Sequence, residues 1–163
     1  MGLLLGADVP FLLFQKPAFA SGVCEKLEAY PGSLPYHILL LHPGIDVHTG
    51  EVFQNLNLRL TKCKKKITKP SLKQSGFDPS LHSCNDLESV TIAKYPVIAS
   101  LKKQLLKHGA LGALMSGSGP TVFGLFSDPH TASEARQAIG RSIRLNAYLS
   151  DIIDGSFPAI SDC

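Results

Sequence analysis

The stretch Leu111–Phe126, LGALMSGSGPTVFGLF, constrains the fold more than any other part of this 163-residue chain. Two apolar runs, Leu111–Met115 and Thr121–Phe126, enclose Ser116-Gly117-Ser118-Gly119-Pro120. Each run is too short to read as a helix, and Val122, Phe123, Leu125 and Phe126 favour a strand packed on a core. Between the runs, two glycines let backbone amides approach an anion or another backbone with no Cβ in the way. Two readings follow. The segment is either the tight glycine turn of a β-hairpin or a loop that cradles an anion, and the local sequence allows both.

The rest of the chain places this hairpin in an α+β context. Tyr36–Leu41 is an apolar strand stopped by His42-Pro43-Gly44. Phe11–Phe14 reads as a short buried strand after Pro10, and Ala18-Phe19-Ala20 begins another. Thr49 is placed to cap a helix over about 50–56. From Asn57 to Cys84 periodicity is lost, and the expectation is a long solvated loop, most mobile from Thr61 to Gln74. Asn85 then caps a helix with Glu88 answering at N3. Ile98, Leu101 and Leu105 carry the three-and-four spacing of the next helix, which Gly109 ends. Asp128-Pro129 or Thr131 with Glu134 starts another helix, running to about Gly140, before a last strand over Leu145–Ile153. Four strands in one antiparallel sheet with two helices on one face is the architecture this order predicts.

Composition narrows the function classes. The apolar fraction of 44% suits a packed core, and the net charge of +3 is concentrated in one run. Arg59, Lys62, Lys64, Lys65, Lys66, Lys69 and Lys73 contain no acid and no aromatic among them. That pattern describes a solvated loop face, so no nucleic-acid partner is expected. No stretch approaches the roughly 20 apolar residues of a membrane span. The N-terminus lacks a basic leader, and Asp8 and Pro10 interrupt any signal core, which makes a cytoplasmic location the expectation. Cys24, Cys63, Cys84 and Cys163 are widely spaced, and His37, His42 and His48 do not stand at a metal-site spacing with acids or cysteines. Reduced thiols and no metal site of the protein's own are expected.

Asp8 lies in an otherwise apolar stretch, where a carboxylate needs a partner. It is either a turn aspartate bonding nearby amides or a general base that activates a hydroxyl. Here the pattern of blocks matters. Leu5-Gly6-Ala7-Asp8-Val9-Pro10-Phe11, Ala18–Glu25, His42-Pro43-Gly44, Asn85-Asp86-Leu87-Glu88 and Ser116–Phe123, in this order, resemble the C-terminal half of the 4-diphosphocytidyl-2-C-methyl-D-erythritol kinase family. That family belongs to the superfamily of galactokinase, homoserine kinase, mevalonate kinase and phosphomevalonate kinase.

The resemblance implies a ferredoxin-like two-layer α+β sandwich over 31–163, with a basic loop at 59–84, preceded at 1–30 by the end of an incomplete N-terminal kinase domain. It implies transfer of the ATP γ-phosphate, with Mg²⁺, to the 2-hydroxyl of a small cytidylyl-methylerythritol substrate in non-mevalonate isoprenoid synthesis. Asp8 matches the family's catalytic aspartate. Ser116, Gly117, Ser118 and Gly119 match its C-terminal glycine motif at the nucleotide and substrate cleft. Two departures stand out. The family's N-terminal lysine and long phosphate loop have no counterpart here, and Cys24 replaces a family glycine. The isolated chain is therefore expected to be inactive and to self-associate through the exposed strand edges of 1–30. The competing reading is a non-catalytic ferredoxin-like binding or assembly module derived from such a kinase.

Overall fold

A computed structural model describes residues 9–22, 26–56, 69–142 and 145–152. The chain divides into two compact units. One comprises Met1–Leu34, Thr68–Phe77 and Ile152–Cys163, and the other Pro35–Ile67 with Asp78–Asp151.

In the first unit, helix α1 spans Val9–Phe14, and strands β1 (Ala18–Ser21) and β2 (Lys26–Ala29) form an antiparallel pair. The strand expected over Phe11–Phe14 is thus a helix. An apolar run without alternation does not separate a buried strand from a helix, and Pro10 has the fixed φ that suits a helix's first turn. Its apolar side chains face outward, with Leu12 and Leu13 both about 70% exposed (67% and 72%). Helix α3, Lys69–Ser75, falls in a stretch expected to be loop. Lys73 on α3 pairs with Glu28 of β2 at 2.7 Å and sits over the Phe19 ring, which in turn meets Tyr30 edge to face at 5.5 Å. The basic run from Arg59 to Lys66 lies outside the described residues, as does the expected mobility of Thr61–Thr68.

The second unit carries the core. Strands β3 (His37–His42), β4 (Gly112–Met115), β5 (Val122–Phe126) and β6 (Asn146–Asp151) form one antiparallel sheet in the order β4-β5-β3-β6. Short helices α2 (Thr49–Gln54), α4 (Pro79–His82) and α5 (Glu88–Lys94) and longer helices α6 (Val97–Lys107) and α7 (Pro129–Ser142) complete the unit. Leaving α2 and α4 aside, the path is strand, helices, strand, strand, helix, strand. With its sheet order, this is the ferredoxin-like two-layer sandwich. Alternation settles which face is buried. The cross-strand register places Leu39, Leu41, Ala113, Met115, Val122 and Phe126 on one face. Against them pack Ile98, Leu101 and Leu105 of α6 and Ala132, Ala135 and Ile139 of α7. Each fully buried Ile or Leu contributes about 1.5–3 kcal/mol of transfer free energy, so this single face holds the unit together.

Other local expectations resolve differently. Helix α4 also lies in the stretch read as loop. Its start follows from Asp78, whose carboxylate accepts from the Ser80 amide at 2.8 Å, with Pro79 at the first helical position. Pro79 is buried against β4, where a Cβ on Gly112 would come within 2.6 Å of its carbonyl oxygen. At α7 the two competing caps are decided for Asp128, which accepts from both the amide and the hydroxyl of Thr131. Cys84 is disulfide-bonded, against the expectation of reduced thiols, and the other three cysteines lie outside the described residues.

Candidate functional site

The turn from β4 to β5 is held by two backbone bonds. The Ser116 amide donates to the Thr121 carbonyl, and the Gly119 amide returns to the Ser116 carbonyl, each at 2.9 Å. Gly117 and Gly119 take φ of +55° and +91°, the left-handed region that favours glycine. A Cβ on Gly119 would stand 2.7 Å from the Met115 sulfur, whereas one on Gly117 would meet nothing within 4 Å. The two glycines therefore serve different ends. Gly119 permits close packing, and Gly117 leaves open space beside the backbone.

Helix α5 and its lead-in brace this loop from outside. The Asn85 side-chain amide donates to the Met115 carbonyl at 2.9 Å and to the Gly117 carbonyl at 2.7 Å. Its oxygen accepts from the Leu87 amide at 3.0 Å, an Asx turn that starts α5. Glu88 does not answer as a capping-box partner. One of its oxygens takes the Met115 amide at 2.7 Å and the other takes Lys102 of α6. Thr91, buried with 1% exposure, donates its hydroxyl to the carbonyls of Leu87 and Ser118. Thr49 was expected to cap α2, but His48 is the N-cap residue and makes no side-chain cap. The Thr49 hydroxyl instead bonds the Ser118 hydroxyl at 2.8 Å.

Most backbone polar groups from Met115 to Gly119 are matched. The carbonyls of Met115, Ser116, Gly117 and Ser118 and the amides of Met115, Ser116 and Gly119 all have partners. The amides of Gly117 and Ser118 donate no hydrogen bond among the described residues. Two adjacent unengaged amides beside a left-handed glycine can accept an anion.

Beside the brace, α2 and α5 enclose an open cleft of about 710 Å³, with Val47, Val52, Val90 and Tyr95 in its lining. Lys94 donates to both oxygens of Glu51 across it, at 2.6 and 2.8 Å. That bond holds the Glu51 carboxyl below its ordinary value and the Lys94 ammonium above its own.

Of the residues singled out from the sequence, Ser116, Gly117, Ser118 and Gly119 form this β4–β5 turn, and Asp8 and Cys24 lie outside the described residues. The bracing residues Thr49, Asn85, Glu88, Thr91 and Lys102 were missed as parts of the site. Three of them carried a capping signal or a resemblance, and none carried a signal that it reaches the glycine loop.

Residues 70–144 match the family described as GHMP kinases C terminal. A 4-diphosphocytidyl-2-C-methyl-D-erythritol kinase of Pelobacter propionicus is 48% identical over 136 residues, which is 83% of this chain and 48% of the relative. The protein of the same name from Geobacter metallireducens is 46% identical over 142 residues, covering 87% of this chain and 50% of the relative. The chain spans about half the length of the curated relatives it matches. A crystal structure of a 4-(cytidine 5'-diphospho)-2C-methyl-D-erythritol kinase superposes with a TM-score of 0.69 at 29% identity, over 90% of this chain and 54% of that one. Homoserine kinase from Cytophaga hutchinsonii shares the fold, with a TM-score of 0.61 at 21% identity over 79% of this chain and 45% of that one. The chain is a homologue of the 4-diphosphocytidyl-2-C-methyl-D-erythritol kinases in the GHMP kinase superfamily, and what it matches is their C-terminal domain region.

Proposed function

We propose that the chain supplies the C-terminal part of a cytoplasmic ATP-dependent kinase. The enzyme phosphorylates the 2-hydroxyl of 4-diphosphocytidyl-2-C-methyl-D-erythritol in non-mevalonate isoprenoid synthesis. The observation that carries this reading is the 46–48% identity, over 83–87% of the chain, to relatives bearing that name. In this reading 1–30 closes an N-terminal kinase domain and 31–163 is the C-terminal domain. Asp8 is the general base that accepts the hydroxyl proton, since an alcohol is a poor nucleophile until a positioned base takes it.

The glycine loop suits a nucleotide phosphate. Its two unengaged amides can donate to phosphate oxygens, and the space beside Gly117 leaves room for them. Mg²⁺ with ATP supplies charge neutralisation between the phosphates. Alignment of ATP with the hydroxyl needs more than one wall of a cleft. The relatives' other half supplies the rest.

A steady-state assay with ATP, Mg²⁺ and the cytidylyl substrate tests this. In a protein that includes the relatives' other half, Asp8→Asn lowers turnover about 10²–10⁴-fold and leaves substrate affinity nearly intact, because the amide keeps the size but cannot take the proton. The isolated 163 residues show almost no turnover. Robust turnover by the isolated chain, or full activity of the Asp8→Asn enzyme, overturns the proposal.

A further inference from the structure

We infer that Asn85 is the positioning residue of the glycine loop: its side-chain amide fixes the loop conformation that turns the Gly117 and Ser118 amides outward as an anion site. The inference rests on the reading of this loop as a phosphate site. Three observations lead to it.

The first is stoichiometric. A primary amide offers two N–H donors and one carbonyl acceptor in a fixed plane. Asn85 is half-buried and uses all three kinds of bond, two outward to the Met115 and Gly117 carbonyls and one inward from Leu87. No other side-chain type supplies two donors and one acceptor at this length. The second is positional. The two carbonyls that Asn85 holds flank Ser116 and Gly117, so gripping both fixes the backbone between them. Those are the residues where the chain leaves β4 and enters the left-handed turn at Gly117. The third is the remainder. With the carbonyls of Met115, Gly117 and Ser118 engaged by the α5 side and that of Ser116 by the Gly119 amide, the backbone groups left unengaged from Met115 to Ser118 are the two amides. Such a surface favours an anion and disfavours a cation.

Asn85 does not touch the anion in this account. It acts through the loop, and Glu88 and Thr91 hold the neighbouring residues in place. Releasing Asn85 lets the peptides around Gly117 rotate, because an unrestrained glycine samples both signs of φ. The two amides then diverge and the site is lost without loss of the core.

The test uses the full 163-residue chain and inorganic phosphate as probe, read by amide NMR. Asn85→Asp keeps the size and the acceptor for Leu87 but loses both donors and sets a carboxylate against two carbonyls. Asn85→Ala loses the donors without adding charge. In both variants the Gly117 and Ser118 resonances move and their amide exchange quickens, while Leu39, Val122 and Phe126 stay in place. Phosphate affinity falls about tenfold in both, the scale expected for two lost hydrogen bonds. An effect in Asn85→Asp alone assigns the loss to charge and overturns the inference. So do unchanged loop resonances, or loop and core signals that move together, or two variants that both fail to fold. Failure of the wild-type chain to respond to phosphate overturns the phosphate reading instead, and the ligand-free spectra still decide the role of Asn85.

Discussion

Replacing Gly119 by alanine separates backbone strain from packing, because the same change at Gly117 involves only the first. Both glycines have positive φ, where an L-residue costs about 1–2 kcal/mol. At Gly117 the added methyl enters open space, so about 1–2 kcal/mol is the whole expected loss. At Gly119 the methyl would stand 2.7 Å from the sulfur and 3.4 Å from Cγ of Met115, and 3.4 Å from the Thr91 methyl. Met115 and Thr91 are each 1% exposed, so neither can swing into solvent. Forcing an extra group into a filled interior typically costs about 1–3 kcal/mol more. The sum for Gly119→Ala is about 2–5 kcal/mol. For a unit of this size that is a fall in Tm of roughly 8 °C or more. Thermal and urea unfolding of the 163-residue chain, followed by far-UV circular dichroism, measures both variants. A Gly119→Ala protein within about 0.5 kcal/mol of wild type, well below the overpacking range, refutes the packing argument. So does a Gly117→Ala loss that exceeds it.

Two further changes bear on α7. Gly140→Ala raises Tm, because Gly140 lies inside the helix with nothing within 4 Å of an added methyl, and alanine there gains about 0.5–1 kcal/mol; a lower Tm in a thermal melt contradicts this. The Asp128 carboxyl is held below its ordinary value of 3.8, chiefly by the Thr131 hydroxyl and then by the Thr131 amide. A depressed carboxyl contributes stability that is fully present above its unfolded value and disappears as pH falls through the folded one. Asp128→Ala therefore lowers Tm at pH 7, and the gap from wild type closes as melts are taken below pH 3.8. A gap that stays constant down to pH 2, well below ordinary carboxylate values, rules out the charged cap.

The parts of the fold legible in the sequence are those whose signal is local. β3, β4, β5 and β6 lie within one or two residues of the apolar runs that predict them, and α6 carries its buried face on Ile98, Leu101 and Leu105 as the spacing requires. The failures share a cause. β2, Lys-Leu-Glu-Ala, has only one large apolar residue and forms because β1 offers it a register, which composition does not show. α1 lacks alternation, so strand and helix were equally compatible with it. α4 has an ordinary helix start, Asp78-Pro79, with each residue type in its preferred position, but its four residues are too few to show a helical period.

Around the glycine loop the sequence shows the side chains and suggests other partners for them than the structure gives. Asn85, Glu88 and Thr49 all carry helix-capping patterns, and local pattern reading assigns such residues to the amides of their own helix. In the structure Asn85 keeps that role with its oxygen alone, and Glu88 and Thr49 give it up. The choice follows from where water can reach. Amides in the first turn of an exposed helix can bond solvent, so leaving them uncapped costs little. The Met115 amide and carbonyl, which Glu88 and Asn85 serve, belong to a residue only 1% exposed, where an unsatisfied polar group costs about 1–3 kcal/mol. Asn85 and Glu88, able to serve either place, are drawn to the one from which water is excluded, whereas Thr49 meets the Ser118 hydroxyl at an exposed position. That competition reaches across 30 positions between Asn85 and Met115, so it is invisible to periodicity and to capping rules. The loop is left with two unengaged amides: from Met115 to Ser118 every backbone carbonyl is matched, three from the α5 side and that of Ser116 by the Gly119 amide, and two N–H groups remain for a ligand to meet.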